Sequence, residues 1–125
     1  LEGVAFNLRW VLERVDRFAK RKSSHVVFYG GGALSALWSQ ILADILKVPV
    51  HQVEDPEYAA TRGNALLGFH RLGMLELEQI GEHVPIAAIH EPRAELGELY
   101  DTMFTQFVRV FRKNRDVFHA LNVGR

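Results

Sequence analysis

The chain has 125 residues, 48% of them hydrophobic and 24% charged, which suits one small domain, or a piece of a larger one, with a modest core. Fifteen basic and fifteen acidic residues cancel to a formal net charge of zero, so no global field draws the chain to nucleic acid or to an acidic membrane. The absence of cysteine excludes disulfides, thiolate metal sites and cysteine nucleophiles and is compatible with cytoplasm, and no apolar run approaches the roughly 20 residues of a membrane span.

Val4, Leu8, Val11, Leu12, Val15 and Phe18 recur at helical spacing and predict an amphipathic helix over about residues 2–19. Lys20, Arg21 and Lys22 suit its negative carboxy-terminal end and read as a solvated terminus, because no aromatic residues interleave them as in a nucleic-acid patch. The apolar run from His25 to Tyr29 then predicts a strand, the glycines Gly30, Gly31 and Gly32 a turn, and the stretch from Ser35 to Leu46 a second helix. A short strand around Val50 to Val53, reached through Pro49, completes a β-turn-α-β order and places the chain in the α/β class with about two strands.

Asp55-Pro56-Glu57 reads as a loop opening a third helix, along which Ala59, Ala65, Leu66, Phe69 and Leu72 are periodic and which Gly73 can end. Gly63 lies inside that helix at a cost of about 1 kcal/mol relative to alanine, and close packing against another backbone is the expected cause, with proximity to a ligand site as the alternative. A polar connection containing Gly81, Pro85 and Pro92 leads to a long last helix, where Leu96, Leu99, Tyr100, Met103, Phe107, Val110 and Phe111 form one apolar stripe facing the core or a partner.

The glycine turn is the segment that carries chemistry. Residues without Cβ permit positive φ and close approach of a ligand to the main chain, and the first turn of the following helix presents unpaired N–H groups. Six histidines are present, but none share the i, i+4 spacing of a zinc protease motif, so no metal site is expected. His90-Glu91 falls in the polar connection and reads as a solvated pair, since nothing nearby supplies a nucleophile or a third group. A Rossmann-type dinucleotide site is one reading of the turn, with Glu54 or Asp55 on the ribose roughly 20 residues beyond it. Its fingerprint fails at the last position: Gly30, Gly32 and Ser35 spell G-x-G-x-x-S, where close helix packing normally wants glycine or alanine.

The longer run Gly30-Gly31-Gly32-Ala33-Leu34-Ser35-Ala36-Leu37-Trp38-Ser39-Gln40-Ile41-Leu42-Ala43-Asp44-Ile45-Leu46, followed by Pro49-Val50, resembles the adenine-side signature of the FGGY carbohydrate kinases, closest to their xylulose-kinase-like branch. Glu2-Gly3-Val4-Ala5-Phe6, Arg62-Gly63-Asn64-Ala65-Leu66-Leu67-Gly68, Tyr100 and a terminal helix ending near Ala120-Leu121-Asn122 follow the same pattern in order, so the resemblance covers nearly the whole chain. It departs at Gly63-Asn64-Ala65, where many relatives have Gly-Ala-Ala, and at Lys47, which replaces a common glycine.

The resemblance implies an actin-like, ribonuclease H-like ATPase fold in which two domains close over MgATP and a small sugar. This chain would be the carboxy-terminal part of the nucleotide-binding domain. It implies that Gly30, Gly31, Gly32 and Ala33 lie against the nucleoside and that Ser35 contacts adenine or ribose, with Asp44 and Gly63 as supporting residues. Asp44 is weighed against an ordinary capping or surface role, and Trp38 is expected in the core rather than stacked on a ligand. The catalytic aspartate, the phosphate-binding strands and the sugar-binding residues of the family all belong upstream of Leu1, so no catalytic or metal-binding residue is expected here and the 125 residues alone are expected to be inactive. A non-catalytic, self-associating module is the remaining alternative, since surfaces normally covered by the missing strands would favour dimerisation.

Overall fold

The computed structural model describes residues 1–123. Five helices, α1 (Glu2–Ala19), α2 (Ala36–Leu46), α3 (Ala59–Arg71), α4 (Gly97–Lys113) and α5 (Arg115–Leu121), surround three strands, β1 (Val26–Phe28), β2 (Val50–Val53) and β3 (Ile86–His90). The order in the sheet is β1-β2-β3, with β1 parallel to β2 across the α2 connection and β3 antiparallel to β2. β3 replaces part of the polar connection expected after Gly73, and His90 closes it rather than lying in a loop. Its sequence Ile-Ala-Ala-Ile-His does not alternate apolar with polar, so it lacks the period-two signal of a half-buried strand.

The core lies on the α2 side of the sheet. Leu42, Ile45 and Val50 are fully buried there, joined by Ala5, Phe6, Trp38, Ala43, Leu46 and Tyr100. Phe6 of α1 meets three rings of α4, with centroids 6.1 Å from Tyr100, 6.3 Å from Phe104 and 5.7 Å from Phe107, and Trp10 packs edge-on against Phe111 at 5.2 Å. The aromatic stripe of α4 therefore faces the core through Tyr100 and Phe107, while Leu99 and Val110 of the same stripe are exposed.

Helix α1 spans the expected residues but buries a different face. Ala5 and Phe6 are buried and Leu12 packs against the core, whereas Val4, Val11 and Val15 are exposed and Phe18 is 92% exposed. Apolar residues occupy two sides of this helix, and periodicity alone does not say which side meets α2 and α4.

Two ionic clusters tie the helices together. Asp101 of α4 accepts from Arg9 Nη2 at 2.8 Å and from Lys47 Nζ at 2.5 Å, joining α4 to α1 and to the end of α2, and these bonds hold its carboxyl below the usual carboxylate range. Lys47 is the left-handed C-cap of α2 with φ 59°, as Lys20 is of α1 with φ 53°, so the position where the resemblance leads one to expect glycine keeps the backbone shape that favours glycine.

The second cluster corrects an expectation, because Asp44 is neither a cap nor a surface residue: its side chain is wholly buried. It accepts from Arg93 Nη2 at 2.6 Å, Arg93 Nε at 3.1 Å, the Arg93 backbone N–H at 2.8 Å and Gln40 Nε2 at 3.0 Å. Burial by itself raises this carboxyl; the hydrogen bonds from Arg93 and Gln40, with the guanidinium charge, outweigh it and hold the group below its ordinary value. Asp44→Asn removes the charge and turns an amide N–H₂ toward donors, so it is expected to cost about 2 kcal/mol in urea unfolding at neutral pH. Because the folded-state pKa is depressed, this contribution is complete above about pH 4 and disappears as pH falls through the lower folded value, so the difference between the two proteins narrows in that acid window.

Candidate functional site

The glycine turn follows β1 directly, at the carboxyl end of the parallel pair, where open α/β sheets place ligands. Gly30 has φ 82°, a conformation that favours glycine, and its N–H donates to Pro56 O at 2.9 Å. A single 3₁₀ turn over Gly31–Leu34 carries the chain into α2, with Ala33 N–H donating to Gly30 O at 2.9 Å and Ser35 N–H to Gly32 O at 3.3 Å.

The three glycines do different things. A Cβ on Gly32 would stand 3.0 Å from Phe28 Cζ and 3.1 Å from Trp38 Nε1, so Gly32 is required by the two aromatic rings beneath the turn. A Cβ on Gly31 would meet nothing within 4 Å, leaving that residue's main chain open to the outside. Ala33 is fully buried, and its carbonyl accepts from Gln52 Nε2 at 2.6 Å. Ser35 caps α2, its Oγ accepting from Trp38 N–H at 3.2 Å, which leaves its hydroxyl hydrogen as a donor for a ligand. Tyr29, Leu34 and Leu37 flank the turn with exposed apolar side chains, and residues 30–35 carry no charge. The surface suits a flat, neutral ring better than a phosphate.

Gly63 is separate from this packing, and here the expectation of close packing is overturned: a Cβ there would have no neighbour within 4 Å beyond its own helix. Gly63 instead borders a cavity of about 420 Å³ on the other face of the sheet, between Val27, Tyr29 and Val53 of the β1–β2 side and Leu66, Ile80 and Val84. Tyr29 thus stands between the turn and this cavity. Asp44 does not reach the turn; it acts on α2 and on the segment after β3.

Glu54 and Asp55 follow β2, but the Glu54 carbonyl is held by both Nη atoms of Arg62 at 3.0 Å and Asp55 is left-handed at φ 44°. The outer edge of β2 is filled by antiparallel β3, where a dinucleotide-binding sheet would continue with a parallel strand. Among the described residues no group of three or more His, Asp or Glu side chains could hold a metal, and no helix is long and apolar enough to cross a membrane. The residues missed by the sequence reading are Phe28, Gln52 and His90. Their signal lies in the sheet register, which sets Phe28 opposite Gln52, and Gln52 diagonally from His90, on one face.

The site is thus an uncharged, solvent-facing glycine turn at the carboxyl end of a parallel β-turn-α-β unit that an antiparallel strand extends. The model of the FGGY family of carbohydrate kinases, C-terminal domain, matches residues 1–72. The chain is 33% identical over 125 residues to a xylulose kinase of Bacillus subtilis (strain 168), covering 97% of this chain and 24% of that protein. It is 36% identical over 102 residues to an autoinducer-2 kinase of Yersinia enterocolitica, covering 80% of this chain and 19% of that protein. Its fold superposes on the crystal structure of xylulose kinase from Rhodospirillum rubrum with a TM-score of 0.76 at 22% identity, over 94% of this chain and 24% of that one. The chain belongs to the FGGY family of carbohydrate kinases, phosphotransferases built on the actin-like ATPase fold. It spans about a quarter or less of the length of these relatives.

The contrast between the glycines is testable by thermal or urea unfolding. Gly32→Val, which drives a branched side chain into Phe28 and Trp38, is expected to destabilise by about 1–3 kcal/mol. Gly63→Ala, which enters open space in a helix interior, is expected to stabilise by about 0.5–1 kcal/mol. A destabilised Gly63→Ala variant would restore the packing explanation.

Proposed function

We propose that residues 1–125 form the carboxy-terminal part of the nucleotide-binding domain of an ATP-dependent sugar kinase, with Gly30, Gly31, Gly32, Ala33 and Ser35 against the nucleoside. The observation that carries this reading is the division within the turn: Gly32 and Ala33 are fixed from below, while Gly31 presents bare main chain outward. A purine needs an unobstructed flat surface and polar edges, and the open Gly31 backbone and the Ser35 hydroxyl offer both. Gly63, beside the neighbouring cavity, and Asp44, through its hold on α2, support the site from a distance.

In the whole enzyme the γ-phosphoryl of ATP passes to a hydroxyl of a small carbohydrate, and similarity to a xylulose kinase favours a pentulose. The hydroxyl proton goes to an aspartate outside this chain, as does the work of holding the sugar. Mg²⁺, which such a reaction uses to neutralise phosphate charge, has no ligand set among the described residues, and the uncharged turn fits the nucleoside alone. The contribution of this chain is orientation: a fixed nucleoside keeps the γ-phosphate in line with its acceptor.

Titration of the chain with ADP, followed by backbone NMR, tests the site. Saturable shifts at residues 30–35 that exceed those with NAD, and that vanish in Gly31→Val without loss of fold, are the expected outcome. Shifts centred on Glu54 with a preference for NAD would favour the dinucleotide reading. The pure chain is expected to release no ADP in a sugar-dependent manner, and turnover would refute the assignment of catalysis to residues outside it.

Self-association of the isolated chain is a second expectation, carried by the exposed row Val4, Val11, Val15 and Phe18 on α1 and by the edge position of β1. Light scattering at high concentration checks it, and a strictly monomeric species would count against it.

A further inference from the structure

Gln52 is an amide at a position of β2 whose side chain shares a face with the buried Val50, and both of its ends are used. Its Nε2 donates to the carbonyl of Ala33 at 2.6 Å, and its Oε1 lies 2.8 Å from His90 Nε2. A carbonyl can only accept, so the contact to Ala33 fixes which end of the amide points to the turn. The oxygen then faces His90, whose Nε2 must carry a hydrogen. The opposite amide orientation would set two acceptors against each other at Ala33.

The neighbours make room for this bridge. Ala88 stands opposite Gln52 with only a methyl group, and His90 is the diagonal partner two residues along β3. On the other side Phe28, in register with Gln52, puts its ring under Gly32. Beside Trp38 of α2, the sheet therefore supplies one aromatic ring and one amide beneath the turn.

We propose that Gln52, oriented by His90, is a positioning residue for nucleotide binding, setting the tilt of the Gly31–Ala33 peptides against which the nucleoside lies. This rests on the reading of the turn as the nucleoside site. Gln52 and His90 do not touch the nucleotide; they act through the Ala33 carbonyl. Side chains that approach from β3 thus tune a site formed after β1.

The test uses Gln52→Met, which keeps length and volume but can make neither bond, with His90→Phe and His90→Gln as a pair, because a glutamine can return a donor to Gln52. ADP affinity is measured by titration, and amide hydrogen exchange is read at Ala33 and Ser35, with Leu42 and Ile45 in α2 as the check on the fold. Gln52→Met is expected to weaken ADP binding about tenfold and to speed exchange at Ala33 and Ser35 while leaving Leu42 and Ile45 protected. His90→Phe is expected to weaken binding by a smaller factor, and His90→Gln to recover it. If Gln52→Met does not fold, the two His90 variants decide the question by themselves. Unchanged ADP affinity in Gln52→Met, or equal weakening by His90→Phe and His90→Gln, would overturn the inference while the nucleoside site stands. An unaltered chain that binds no ADP would overturn both.

Discussion

The buried carboxylate of Asp44 is the constraint on which the arrangement of this domain depends. A charge with no solvent access must be compensated by hydrogen bonds, and here the donors come from the segment immediately after β3. Arg93 supplies a backbone N–H and two guanidinium donors, and Gln40, one turn before Asp44, spans from the carboxylate to the Glu91 carbonyl at 2.8 Å. α2 and the exit of β3 are thereby locked together. A slip of β3 along β2 by one residue would break the bonds that Arg93 and the Glu91 carbonyl make to α2, so the register of the antiparallel pair is fixed from outside the ladder.

That register has a consequence at the opposite end of α2. It places His90 diagonally from Gln52, and Gln52 reaches the Ala33 carbonyl in the turn that begins α2. The helix is therefore anchored to the sheet twice, by Asp44 near its end and by the turn at its start. Between these anchors Leu42 and Ile45 fill the core against Val50, so the dipole and open amides of the first turn are held in one orientation. An anion cluster is unnecessary for this, which agrees with a turn that carries no charged residue.

Much of this was legible in the sequence because local rules sufficed. The β2 strand, the α2 helix and the Gly73 stop with φ 73° each follow from a few adjacent residues. What was not legible depends on which surfaces meet. The apolar row of Val4, Val11, Val15 and Phe18 has better helical spacing than the Ala5–Phe6–Leu12 face, yet only the latter faces the rings of α4. Gly63 looked like a packing glycine because a glycine in a helix interior calls for a cause, but open space around it is invisible without the third dimension. Asp44 was expected at a cap or on the surface although it sits in the apolar stretch Ala43-Asp44-Ile45, because the partner that permits its burial, Arg93, lies 49 residues later and was not available to sequence reasoning. Gln52 carries no local signal at all, since its role is set by register.

The division of labour within the glycine turn follows from these anchors. A turn that must serve as a flat surface cannot also be soft, because each degree of freedom left in it is lost when a ligand binds, at a cost of order 1 kcal/mol per residue. Three glycines in a row would ordinarily be the least rigid segment of a chain. Here Gly30 is held through its N–H by Pro56, Gly32 is wedged over Phe28 and Trp38, and Ala33 is gripped through its carbonyl, while a Cβ on Gly31 would stand in open space. The absence of side chains gives access, and the sheet beneath gives rigidity. In the proposed kinase this combination orients one end of ATP without using charge, which leaves the electrostatic work of phosphoryl transfer to groups placed around the phosphates by the rest of the enzyme.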